Sequence, residues 1–96
     1  MDLSKYIGFD WDEHNAGKNW EKHRVSPQEC EQVFFNEPLV IADDEAHSKH
    51  EKRHFAFGRT DEGRLLTVIF TTRGYFIRVI SARNMDRKER KGYESS

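Results

Sequence analysis

The sequence predicts an α+β fold in which helices pack on a small antiparallel β-sheet, in the order β-α-α-β-β-β-β-α. Three observations carry that expectation. Helix starts are marked by capping residues at Asp12, Ser26 and Asp86. Strand-like apolar patterning fills residues 53–83, and the turn residues Asp61-Glu62-Gly63 and Arg73-Gly74 divide it into consecutive strands. At 96 residues the chain suits a single domain spanning 1–96, because either half of a split would bury too little surface to hold itself together. Seven Phe, three Tyr and two Trp supply core material to a chain that is otherwise 34% charged with a mean hydropathy of −0.93.

Tyr6-Ile7-Gly8-Phe9 reads as a first strand. Asp12 is the N-cap of a helix over 13–23, with Glu13 favoured in its first turn and Ala16, Trp20 and His23 along one face. Gly17 costs this helix about 1 kcal/mol relative to Ala, so it must lean on packing. Ser26-Pro27-Gln28-Glu29 combines N-cap, first-turn proline and capping box, and Cys30, Val33 and Phe34 follow as an apolar stripe until Asn36 and Pro38 stop the helix. Leu39–Ala42 begins a strand closed by Asp43-Asp44-Glu45, and residues 46–52 form a polar loop. Arg53, Phe55, Phe57 and Arg59 alternate on one side of the next strand, and residues 65–72 are apolar on both faces, as a central strand requires. In the last strand, over 75–83, regular alternation places Arg78, Ile80 and Ala82 on one side and Ile77, Val79, Ser81 and Arg83 on the other. Asp86 and Glu89 box the start of a terminal helix over 87–91 that ends near Gly92-Tyr93.

The composition excludes several classes of function. There is no apolar run of the roughly 20 residues that cross a bilayer, and no secretory h-region at the N-terminus, which predicts a cytoplasmic protein with no membrane partner. Cys30 stands alone, so neither an intrachain disulfide nor a multi-cysteine zinc site is available, and its apolar helical position predicts a buried structural thiol. The net charge of −1 hides an asymmetry: residues 1–48 carry four basic against eleven acidic side chains, a balance of −7, and residues 49–96 carry twelve against six, a balance of +6. Such polarity suits a protein that meets a polyanion with one side and something different with the other.

Arg53, Arg59, Arg64, Arg73, Arg78 and Arg83 recur on the strands and their ends, and the terminal helix adds Arg87, Lys88, Arg90 and Lys91. A planar guanidinium fork matches phosphate oxygens two at a time, so phosphate is the expected ligand, while two or three of these arginines are expected to pair with acids of the first half. Phe55, Phe57, Tyr75 and Phe76 offer rings on which unpaired bases can stack. His47, His50 and His54 run as H-x2-H-x3-H into a strand, a spacing that matches no firm zinc geometry; neither a metal nor a cofactor is expected. Trp11, Phe35 and Leu39 have no obvious apolar home and are candidate contacts for a protein partner.

Phe9-Asp10-Trp11-Asp12-Glu13, Asn19, Lys22-His23, Val25-Ser26, Glu29, Val33-Phe34, Pro38, Gly58-Arg59, the strand Ile77–Arg83, and Arg87, Glu89-Arg90 and Tyr93 together resemble the BrnT toxins, over nearly the whole chain. The resemblance implies a RelE/ParE-like fold and a ribonuclease that arrests translation. It also implies neutralisation by a BrnA-like antitoxin with a ribbon-helix-helix domain, in a hetero-oligomer that reaches operator DNA through the antitoxin. The chain departs from the family pattern at Arg24, where a glycine is usual, and at Pro27, where an aromatic is usual. A glycine supplies a left-handed helix end cheaply, so Arg24 either adopts that conformation at a cost or changes the turn.

Metal-free RNA cleavage needs a group to accept the 2′-hydroxyl proton, a group to protonate the departing 5′-oxygen, and cations around the phosphorane. On that resemblance Arg59, Arg78 and Arg83 are the expected phosphate clamp in a single pocket. His23 is the expected acid or base, because histidine is the side chain that titrates near neutrality, and Lys22 assists as a cation. Arg53, Arg73, Arg87 and Arg90 are expected along the RNA path. Arg78 and Arg83 fall on opposite sides of a regular strand, so both serve only if the strand twists, bulges or ends between them. The same charge pattern also fits a non-catalytic basic module that binds a repressor and tunes its grip on DNA, and a metal-dependent nuclease using His47, His50 and His54 is a third reading.

Overall fold

The local signals set the element boundaries. In the computed structural model, which describes residues 1–95, the order is β1 (Gly8–Phe9), α1 (Glu13–His23), α2 (Pro27–Phe35), β2 (Val40–Asp43), a 3-10 turn at Glu45–His47, β3 (His54–Arg59), β4 (Leu65–Arg73), β5 (Phe76–Asn84) and α3 (Arg87–Glu94). The Asp12 side chain accepts from the His14 amide at 2.8 Å. Ser26 with Glu29 and Asp86 with Glu89 both form reciprocal capping boxes, so two of the orphan amides at each helix start are satisfied locally. Among the described residues no helix is long and apolar enough to cross a membrane.

The five strands form one sheet in the order β1-β5-β4-β3-β2. The sheet is mixed, which corrects the expectation of an antiparallel one: β2, β3, β4 and β5 pair antiparallel, but β1 runs parallel to β5, with Gly8 opposite Phe76 and Phe9 opposite Ile77. Short turns force reversal only between strands that follow one another, and β1 reaches its partner through most of the chain. β1 is also shorter than the residues 6–9 expected, because the Tyr6 amide bonds back to the Leu3 carbonyl. Since β1 covers β5 only at Phe76 and Ile77, the edge amide of Ala82 farther along is taken by the Oδ1 of Asn19, a buried side chain of α1.

α1 lies against β5 and α2 against β3 and β4, on one face of the sheet. Between them Val25, Cys30, Val33, Ala56, Leu66, Val68, Phe70, Val79 and Ala82 are buried. Phe34 meets Phe70 edge-on at 5.1 Å, and each such side chain contributes about 1.5–3 kcal/mol by leaving water. The Cys30 thiol is among these, and burial pushes it up to about 12, so it stays protonated and inert. α3 covers one corner of the opposite face, where Thr67 donates to Glu89 and the Tyr93 hydroxyl donates to the Pro38 carbonyl at 2.6 Å.

The last strand departs from regular alternation. Phe70 pairs with Val79 and Ile69 with Ser81, so Ile80 is an extra residue, a bulge. Residues paired across the ladder share a face. Ala82 therefore joins Ile77 and Val79 in the core, while Ser81 and Arg83 join Arg78 on the opposite face, which corrects the two-sided division expected from the sequence.

Gly58 is packed against α2: a Cβ there would lie 2.8 Å from Val33 Cγ1 and 3.1 Å from the Val33 carbonyl. Val33 is fully buried and has nowhere to retreat. Gly58→Ala should therefore lower unfolding stability by about 1–3 kcal/mol, read from the urea midpoint at unchanged m-value.

Candidate functional site

β5 carries two of the candidate residues, and the bulge at Ile80 puts both on the face that α3 partly covers. Arg78 donates from Nη1 to Asp10 at 3.2 Å and from Nη2 to Asp12 at 2.8 Å, with 15% of its side chain exposed. It ties β5 to the end of β1 and the start of α1. The His14 amide, with Arg78 in support, holds the Asp12 carboxyl below its ordinary value. Arg83 forms a two-pronged pair with Glu89, Nη1 to Oε1 at 2.7 Å and Nη2 to Oε2 at 2.9 Å. Arg59 ends β3 on the same face, and among the described residues its guanidinium has no carboxylate partner.

Of the three arginines expected to clamp a phosphate, two already hold carboxylates of their own, whereas among the described residues Arg59 does not. Arg78 and Arg83 are separated by four residues of strand, and each is drawn to its own carboxylates because a half-buried cation requires a local counter-charge. Arg53 and Arg73 lie toward the other end of the sheet and share Glu51 at 3.7 and 3.9 Å. Arg87 and Arg90 are exposed on α3.

What the structure does bring together lies at the end of the sheet where α1 stops. Lys22 and His23 are exposed in the last turn of α1, and Arg24 follows in the left-handed conformation, φ 53° and ψ 41°. Outside glycine that conformation costs on the order of 1 kcal/mol. It directs the Arg24 and His23 carbonyls toward Arg64, which stands just before β4. Arg64 donates from Nη1 to the Arg24 carbonyl at 2.7 Å, from Nη2 to the His23 carbonyl at 2.9 Å, and from Nε to Asn84 Oδ1 at 2.8 Å. Its Nη1 also pairs with Glu29 at 3.0 Å. Burial acts to raise the Glu29 carboxyl, but the Ser26 amide and the Arg64 guanidinium together hold it below its ordinary value. Arg83 precedes Asn84 and donates to its carbonyl, and Arg64, Asn84 and Arg90 line a cavity of about 460 Å³ with Gly63 and Met85. Arg64 thus joins the backbone end of α1, which carries Lys22 and His23, to Asn84, which follows Arg83, beside a cavity that Arg90 also lines. Arg64 was legible only as one more strand arginine, since its partners lie about forty residues away and no local spacing marks them.

The histidines of the loop are engaged separately. His47 Nδ1 sits 3.1 Å from both oxygens of Asp44, and the buried His54 pairs with Asp43 at 3.3 Å. Among the described residues no group of three or more His, Cys, Asp or Glu side chains is arranged to hold a metal ion. Of the candidate partner contacts, Trp11 donates to Glu31 at 2.7 Å and Leu39 packs on the core, whereas Phe35 is 78% exposed beside Phe9.

Comparison with known proteins bears on most of the chain. The profile of a family described as the ribonuclease toxin, BrnT, of type II toxin-antitoxin systems matches residues 11–89. The 1.1 Å crystal structure of the Brucella abortus ribonuclease toxin BrnT is similar with a TM-score of 0.65, at 23% identity, over 84% of this chain and 99% of that one. That likeness concerns the fold. No curated protein matches the chain.

The Arg83–Glu89 pair makes a pH-dependent contribution to the fold. Arg83, then the Asp86 amide and Thr67, pull the Glu89 carboxyl from 4.5 down to about 2. Its folded-state value is thus depressed, and the stability it confers is present above 4.5 and lost as pH falls from there through about 2. Chemical denaturation should show Glu89→Gln less stable than the parent by about 1–2 kcal/mol at pH 7, with the difference closing by pH 2.

Proposed function

The chain belongs to the BrnT family of ribonuclease toxins of type II toxin–antitoxin systems, and from that premise we propose that it is an endoribonuclease that cuts RNA without a metal ion and so inhibits translation. The observation that carries this reading is the tie made by Arg64. It fixes the exposed Lys22–His23 helix end to Asn84 at the end of β5, next in the chain to Arg83 and beside the cavity that Arg90 lines, so that in this reading cations and an imidazole serve one phosphate. In this reading His23 transfers the proton at the 2′-hydroxyl or the departing 5′-oxygen, Lys22 supplies positive charge, and Arg83 faces the phosphorane while Glu89 holds its fork in orientation. Arg59 approaches from β3 on the same face. Arg78 acts one step back, by joining β5 to Asp10 and Asp12. Arg87 and Arg90 meet the RNA backbone near the reacting end, and Arg53 and Arg73 meet it at the far end of the sheet.

The same proposal gives the protein its partners: RNA as substrate, and a BrnA-like ribbon-helix-helix antitoxin through which a hetero-oligomeric complex meets operator DNA in the cytoplasm. Phe35 is the candidate contact best exposed for that antitoxin. The relation to RelE/ParE-like toxins belongs to this reading too, and their reliance on basic side chains is consistent with the chemistry assigned here.

One observation favours a second reading. Arg78 and Arg83 already hold carboxylates, as they would in a basic module that only binds a repressor. Incubating the purified protein with RNA in EDTA separates the two: the proposed enzyme cleaves at an undiminished rate, and the binding module leaves RNA whole. His23→Gln and Arg83→Ala should each lower the single-turnover rate by about 100-fold or more and relieve growth arrest in a host lacking the antitoxin. Cleavage abolished by EDTA, or unaltered in both variants, defeats the proposal.

A further inference from the structure

We propose that Trp20 and Arg24 form a stacking platform for an unpaired RNA base beside Lys22 and His23, an inference that rests on the ribonuclease reading above. Trp20 lies in the last turns of α1 and is 48% exposed, which leaves a large apolar ring in water. On the helix surface its neighbours toward the C-terminus are His23 at i+3 and Arg24 at i+4. The Arg24 guanidinium stands 5.4 Å from the centre of the ring, a cation–π pair. Arg24 itself is left-handed, and its backbone is clamped by the Arg64 bonds to the His23 and Arg24 carbonyls. The ring is therefore presented from a fixed helix end.

The charge around it is open to an anion. Among the described residues neither Lys22 nor Arg24 has a carboxylate partner. The other exposed rings are elsewhere: Tyr75 and Phe76 lie at the β4–β5 turn, at the opposite end of β5 from Asn84, and Phe35 packs beside Phe9. An indole offers a face to any base regardless of its identity, and a guanidinium next to it takes the flanking phosphate in two-pronged fashion. A base held on Trp20 would set the adjoining phosphate near His23, so the platform serves substrate binding and register, with no part in proton transfer.

The test is tryptophan fluorescence during titration with a single-stranded 2′-O-methyl octanucleotide, which binds but lacks the 2′-hydroxyl needed for cleavage. The parent protein and Trp11→Phe should both be quenched. Trp20→Leu should lose most of the quench and bind about five- to tenfold more weakly, Trp20→Phe should bind within about threefold of the parent, and Arg24→Gly should fall between. On cleavable RNA, Trp20→Leu should raise KM with kcat unchanged. The proposal is overturned if Trp20→Leu binds the octanucleotide as tightly as the parent, and equally if the variant loses affinity for the antitoxin alone, which would assign the ring to a protein interface. Binding is read here without chemistry, so a protein that is quenched yet cuts no RNA upholds the platform while defeating the ribonuclease reading.

Discussion

Four elements meet at the Arg64 guanidinium, and the arrangement of the reacting end depends on it. The last carbonyls of a helix have no partners within the helix and carry its partial negative charge, so a cation that donates to two of them satisfies both hydrogen bonding and the dipole. Arg64 does this for α1 while a third nitrogen holds Asn84 at the end of β5 and Glu29 supplies the counter-charge. Glu29 is also the capping-box residue of α2. A lysine at this position could not reach these groups at once, because its single nitrogen lacks the planar fork.

The charge asymmetry of the chain has a structural meaning in the same terms. Arg64 with Glu29, and Arg78 with Asp10 and Asp12, are bonds between the basic second half and the acidic first half. They hold α1 and α2 to the sheet at its two ends. The cations left without carboxylates among the described residues, Lys22, Arg24, Arg59, Arg87 and Arg90 among them, are the ones available to a polyanion. A strand arginine is thus informative about ligands only after its partners are known.

Much of this fold is legible in the sequence wherever the cause is local. Asp12, Ser26 and Asp86 cap the helices they announce because each acts on amides within three residues of itself. The left-handed Arg24 was one of two outcomes open at a position where glycine is usual, and the Arg64 bonds to its carbonyl and to that of His23 accompany the one adopted. The parallel pairing of β1, the role of Arg64 and the bulge at Ile80 were not legible, since each is decided by residues far away in the chain. The candidate site was legible as residue types and not as partnerships: the carboxylates that hold Arg78 and Arg83, from Asp10, Asp12 and Glu89, lie on other elements that the strand pattern does not reveal.

The extra residue at Ile80 reverses the parity of everything after it in β5. Before it, odd-numbered positions point into the core; after it, even-numbered ones do. A regular strand of the same nine residues would turn the arginine that faces Glu89 toward the helices, with an alanine on the outside in its place, whereas loss of the extra residue would leave both where they are. The direction of this charge is therefore set by where the ladder slips, and counting along the letters alone points it the wrong way.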